Sequence, residues 1–171
     1  MTIKIGINGF GRIGRSIFRA ATKDIHKEFE IVHINDLTQP ETIAHLLKYD
    51  SVHGIFSAPC SATDKSIKVE DKEISISAIR SPAEIPWKEK NVDIVFECTG
   101  LFTGREAAED HMKAGAPRVL ISAPAKNEDL TIVLGVNDDM YDPSKHHVIS
   151  NASCTTNGLA PVAKILDRKS T

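Results

Sequence analysis

TIKIGINGFGRIGRSIFRAATK, residues 2–23, decides the fold. Ile3, Ile5 and Ile7 alternate with other residues, the period of a strand. Gly9, Gly11 and Gly14 follow, and then Ile13, Ile17 and Ala20 or Ala21 recur at helical spacing. Strand, glycine turn and helix therefore succeed one another without a break. The three glycines stand in Gly-x-Gly-x-x-Gly spacing, and each has its own physical reason. Gly9 permits a tight turn off the strand, Gly11 permits close approach of the backbone to a pyrophosphate, and Gly14 lets the helix pack against the sheet. The helix start adds unpaired N–H groups and a partial positive charge.

Glycine turns between strand and helix are common, so the pattern needs its context. FEIVHIND, residues 29–36, supplies it: a second strand ends at Asp36, about 20 residues on, as a dinucleotide site requires. Asp36 can accept hydrogen bonds from ribose hydroxyls, and its charge repels a 2′-phosphate. NAD is the expected cofactor rather than NADP. The bland alternative, a glycine turn and a capping aspartate without ligand, leaves the joint spacing unexplained.

The rest of the chain continues the rhythm. PETIAHLLKYD (40–50) predicts a helix opened by Pro40, with Ile43, Leu46 and Leu47 on one face. KSIKVEDKEISISAI (65–79) predicts two antiparallel strands around a turn near Asp71–Lys72. SPAEIPWKEKN (81–91) is a proline-bearing connector. VDIVFECTG (92–100) predicts a strand, GREAAEDHMKAG (104–115) a helix closed by Gly115, and PRVLISAP (117–124) a strand. TIVLGVN (131–137) and HHVISNAS (146–153) predict two more. The expected architecture is α/β: a doubly wound, mostly parallel Rossmann sheet with an antiparallel hairpin insertion.

Hydrophobic residues make up 41% of the 171 residues and charged residues 26%, the balance of a globular domain. No apolar run approaches membrane-spanning length, and the first residues lack the pattern of a secretory signal. A net charge of −2 and 5% aromatic residues argue against nucleic-acid binding. Cys60, Cys98 and Cys154 are few, odd in number and widely spaced, which suggests neither disulfides nor a metal site and points to the cytoplasm.

Cys154 is the cysteine with chemical promise. It sits in SNASCTTNGLAP (150–161), between a strand and a helical pattern through Leu159, Val162, Ala163 and Leu166. Ser153, Thr155, Thr156 and Asn157 are small and polar, unlike core neighbours. A helix starting at the cysteine would favour its thiolate and offer N–H groups to an oxyanion. Pro161 leaves a second possibility, a helix beginning near the proline. Cys98, within a buried-strand pattern, has a packing role.

INGFGRIGR (7–15), IND (34–36), HLLKYDSVHG (45–54), ECTG (97–100), ISAPAK (121–126) and SNASCTTN (150–157), in this order, resemble the N-terminal half of the phosphorylating glyceraldehyde-3-phosphate dehydrogenase family. The resemblance runs from Ile3 to about Leu166 and does not extend through LDRKST (166–171). It implies a Rossmann NAD-binding domain over residues 1–151, and over 152–171 the nucleophile motif and the start of a truncated catalytic domain. Cys154 would be the catalytic nucleophile, with Ser153 and Thr155 contacting substrate or phosphate. Gly9, Gly11, Arg12, Ile13 and Gly14 would face the pyrophosphate, Asp36 the adenosine ribose, and Arg80, Thr99 and Ser122 other parts of NAD. The implied reaction is covalent: the thiolate adds to the aldehyde, hydride passes to NAD, and inorganic phosphate cleaves the resulting thioester to 1,3-bisphosphoglycerate. A homotetramer is implied for the full-length protein. A relative acting on erythrose 4-phosphate shares the cysteine motif, and a non-catalytic NAD-binding interaction module is the alternative from another class.

The family's histidine base comes after the cysteine, and none follows Cys154 here. His26, His33, His45, His53, His111, His146 and His147 all precede it. His146 and His147 are expected at the opposite end of the last strand, well over ~15 Å away if that strand is extended. The 171 residues are therefore expected to bind NAD without phosphate-dependent turnover.

Overall fold

A computed structural model of the chain describes residues 2–23 and 28–170, so His26 lies outside the described residues. The elements run β1 (Ile3–Asn8), α1 (Arg12–Ala21), β2 (Phe29–Asn35), α2 (Pro40–Lys48), β3 (Tyr49–Asp50), β4 (Gly54–Ile55), β5 (Cys60–Thr63), β6 (Ser66–Val69) and β7 (Lys72–Ser77). They continue as β8 (Ile94–Glu97), α3 (Arg105–Lys113), β9 (Arg118–Ile121), β10 (Leu130–Thr131), β11 (Val148–Ser150) and α4 (Cys154–Ser170). Nine of the described strands form one sheet in the order β10-β11-β9-β8-β1-β2-β7-β6-β5. Pairing is parallel from β10 through β7 and antiparallel for β6 and β5. The α/β fold is thus the Rossmann-like one expected.

The chain leaves β1 toward β2 on one side and later builds β8 and β9 on the other. Right-handed crossovers in these opposite directions place α1 and α3 on opposite faces. Strand alternation shows the same division. Ile5 and Ile7 pack with Phe10, Phe18 and Ile34 on one face. Gly6 points to the other, where a Cβ would lie 2.5 Å from the Trp87 ring. β1 is the place where strand order reverses, and in such sheets ligands bind beyond the C-terminal ends of the strands there.

The hairpin forms as β6 and β7, and β7 also pairs with β2, so the insertion extends the main sheet. β5, a short and mixed-polarity third strand, was not legible in the sequence. Two expected strands are shorter than predicted. Of TIVLGVN only Thr131 enters β10, which Leu130 opens: the Asn137 side chain donates to the Thr131 carbonyl and accepts the Val133 N–H, folding the chain back. HHVISNAS contributes only Val148–Ser150, since the N–H groups of His147 and Val148 go to the Asp129 carboxylate. Leu46, expected on the buried face of α2, is exposed while Ile43 and Leu47 are buried.

Candidate functional site

The glycine turn has the geometry its residues imply. Gly9 takes φ +87°, and a Cβ there would lie 2.8 Å from both the Thr99 N and Cγ2. A Cβ at Gly14 would lie 2.3 Å from the Gly9 carbonyl oxygen, so α1 could not seat against the turn. At Gly11 a Cβ would meet nothing within 4 Å. No protein atom therefore demands glycine at position 11, whereas a phosphate approaching the backbone there would. No side chain caps α1, which leaves the first-turn N–H groups to a ligand.

Asp36 follows the last residue of β2. Its Oδ2 accepts the Phe10 N–H at 2.6 Å and its Oδ1 accepts the Thr38 N–H at 2.8 Å. A carboxylate offers about four lone-pair sites, so two hydroxyls of a ribose can still be accepted. Asp36, Gly9, Gly11, Arg80 and Thr99 line one cleft of about 410 Å³ with apolar walls including Leu37 and Ile79. These residues fit the ribose and pyrophosphate of NAD: an acceptor pair, a helix start and an open glycine face share one crevice.

A second cleft of about 420 Å³ opens at the ends of β8, β9 and β11, lined by Ile13, Ser122, Ala152, Cys154 and Asn157 among others. Gly11 in the first cleft and Ile13 in the second are two residues apart at the start of α1. Ile13, exposed, and Ile17, which also packs against the hydrophobic core, both line this second cleft. The exposed Arg12 side chain instead reaches Asp50 at 3.4 Å. Backbone N–H groups from His53 and Val52 hold the Asp50 carboxyl down to about 2.

α4 begins at Cys154 and carries Pro161 inside it, which decides between the two helix starts left open by the sequence. The cause is local. Ser153 Oγ accepts the Thr156 N–H at 2.9 Å and the Ser153 carbonyl accepts the Asn157 N–H, an N-cap that fixes the helix ahead of the proline. Ala152, buried, takes φ +58° to turn the chain from β11 into the helix. Such strain in a residue with a Cβ is concentrated at functional sites. Ser153 Oγ lies 2.9 Å from Thr155 Oγ1 and 2.7 Å from Thr156 Oγ1, forming a hydroxyl cluster beside the thiol.

Cys154 is free and exposed, while Cys60 and Cys98 are partly buried. Burial raises the Cys98 thiol to about 12, and burial likewise raises that of Cys60. Among the described residues no histidine lines the cleft of Cys154. His33 and His111 are buried in hydrogen bonds of their own. His146 accepts the Asp142 N–H in the turn before β11. Sequence reasoning missed Glu97, the buried last residue of β8, which holds both the N–H and the hydroxyl of Thr99. A single glutamate ending an apolar strand was the available signal. Among the described residues no metal-binding cluster occurs, and no helix is long and apolar enough to cross a membrane.

The family model described as the NAD binding domain of glyceraldehyde 3-phosphate dehydrogenase matches residues 3–105. Proteins named glyceraldehyde-3-phosphate dehydrogenase are similar throughout. The one from Geobacillus stearothermophilus is 60% identical over 166 residues, which are 97% of this chain and 49% of that protein. That of Streptomyces coelicolor is 58% identical over 98% of this chain and 49% of its own length. That of Pseudomonas aeruginosa is 52% identical over 99% of this chain and 51% of its own. The chain spans about half the length of these curated relatives.

Proposed function

This chain belongs to the glyceraldehyde 3-phosphate dehydrogenase family and carries its NAD-binding domain, and from that premise we propose that the whole protein oxidises glyceraldehyde 3-phosphate to 1,3-bisphosphoglycerate, with Cys154 as nucleophile. The observation that carries the proposal is the placing of an exposed thiol at the first residue of α4, in the cleft that begins two residues beyond Gly11.

Residues 1–151 form the cofactor unit in this reading, and 152–171 begin the catalytic one. The backbone from Gly9 to Gly14 would hold the pyrophosphate, Asp36 the ribose, Arg80 and Thr99 the adenosine side, and Ser122 the nicotinamide side. Bound NAD supplies the hydride acceptor. The Cys154 sulfur adds to the aldehyde carbon, and the carbonyl electron pair moves to its oxygen. The N–H groups of Cys154 and Thr155, which α4 itself does not use, are placed to steady that oxygen. The hydroxyls of Ser153 and Thr155 would receive the substrate or the attacking phosphate.

The base that takes the thiol proton is the missing piece. With no histidine among the described residues of the cleft, these 171 residues would bind NAD without turnover, and the histidine would come from the remainder of a homotetrameric, cytoplasmic protein. The purified chain, given NAD, glyceraldehyde 3-phosphate and inorganic phosphate, should form no steady acyl phosphate. In the whole protein Cys154→Ser should abolish turnover and leave NAD bound. Sustained turnover by the chain alone, or by the serine variant, would contradict the proposal.

A further inference from the structure

Three neighbouring strands end in buried polar residues: β1 in Asn8, β2 in Asn35 and β8 in Glu97. Each immediately precedes, or stands two residues before, a residue of the first cleft: Gly9, Asp36 and Thr99. Their side chains are joined. Asn35 Nδ2 donates to Asn8 Oδ1 at 2.8 Å, and Asn8 Nδ2 donates to Glu97 Oε2 at 2.6 Å. On the far side Trp87 Nε1 donates to His111 Nδ1 at 3.0 Å, and His111 Nε2 meets Glu97 Oε2 at 3.0 Å. Trp87, His111 and Glu97 are all within 1% of full burial.

The direction of every hydrogen bond is fixed. An indole N–H can only donate, so His111 Nδ1 is the acceptor and Nε2 carries the proton toward Glu97. Asn35 Oδ1 accepts the Ile79 N–H and the Ser77 hydroxyl, which fixes its amide, and through it that of Asn8. Asn8 Nδ2 and His111 Nε2 converge on Glu97 Oε2, and its Oε1 accepts the Thr99 N–H and hydroxyl. Among the described residues four donors and no acceptor surround the carboxyl, and its contact with His111 is a hydrogen bond donated by Nε2–H.

We infer that Glu97 is a positioning residue for cofactor binding: its carboxylate, held by Asn8 and the His111–Trp87 pair, sets the Thr99 turn against Gly9 and so shapes the crevice. The inference rests on the cofactor reading given above. Gly9 is the contact that makes the setting matter, because Thr99 fills the space where its Cβ would be. Glu97 is buried behind the first cleft rather than lining it, and acts through Thr99.

Glu97→Gln tests the inference with little change of shape. Its amide N–H₂ must face His111, Asn8 or Thr99, all of which present hydrogens, and none can reverse without breaking its next bond. NAD affinity of the purified chain, measured by calorimetry, should fall about tenfold, the equivalent of one buried donor left unpaired. His111→Gln should rescue what His111→Leu loses, since an amide can accept from Trp87 and donate to Glu97 together. Equal NAD affinity in a folded Glu97→Gln chain, or equal losses in the two His111 variants, would overturn the inference. If the variants fail to fold, nitrogen chemical shifts of the unaltered chain decide: the neutral Nε2–H tautomer of His111 supports it, and an Nδ1–H tautomer or an imidazolium overturns it. Absence of NAD binding by the unaltered chain would instead bring down the cofactor reading itself.

Discussion

Asp36 and Phe10 are joined by a 2.6 Å hydrogen bond, from the Phe10 N–H inside the glycine turn to the Asp36 Oδ2 at the end of β2. The aspartate therefore does two things at once. It anchors the glycine turn and keeps two acceptor sites open, the ones that the proposed cofactor site gives to a ribose. Asp36→Asn has one acceptor oxygen where two are used, so Phe10 or Thr38 loses its partner. Thermal unfolding should show a loss of about 1–2 kcal/mol. Calorimetry should show NAD weakened about tenfold or more, with discrimination against NADP reduced. Unchanged affinity for NAD together with continued exclusion of NADP would remove Asp36 from the ribose site.

The glycines should separate by function. Gly14→Ala drives a Cβ to 2.3 Å from a backbone oxygen, and its denaturant midpoint should fall by the equivalent of about 1–3 kcal/mol. Gly11→Ala meets no protein atom, so its stability should stay within about 0.5 kcal/mol while NAD binding weakens. A Gly11→Ala chain that binds NAD as before would show that the pyrophosphate does not approach there.

The contrast between these glycines also shows what the sequence could and could not convey. Glycine spacing, the strand periods and the aspartate about 20 residues on are local patterns, so the Rossmann architecture was legible. The short β10 and β11 were not, because the side chains of Asn137 and Asp129 take backbone bonds that alternating apolar residues predict for neighbouring strands. Nor was the helix start at Cys154, which depends on the Ser153 cap outweighing Pro161. Glu97 was illegible for a stronger reason: its partners Asn8 and His111 lie 89 and 14 residues away, and only the fold assembles them.

His33 gives the chain a pH dependence that can be read from its burial. Burial, with the charge of Lys90 nearby, holds its imidazole down to about 4 from an ordinary 6.5. The neutral ring sits between Ser75 and Ser77 hydroxyls at 2.7 and 2.9 Å. Below pH 6.5 the unfolded chain takes up a proton that the folded chain refuses until about 4. Its contribution is thus complete above 6.5 and lost progressively as pH falls between these values, by roughly 3 kcal/mol in all. Urea midpoints measured across that range should decline, and His33→Gln should flatten the decline. Identical slopes for the two chains would contradict the assignment.

Cysteine reactivity during NAD titration tests most directly whether the glycine turn and Cys154 belong to one site. Alkylation of the purified chain, followed by mass spectrometry, should reach the exposed Cys154 well before Cys98 and Cys60, whose thiols burial makes poor nucleophiles. Adding NAD should then change the Cys154 rate in step with occupancy measured by calorimetry, leaving the other two unaffected. A Cys154 rate that stays constant while NAD saturates the chain would contradict the account.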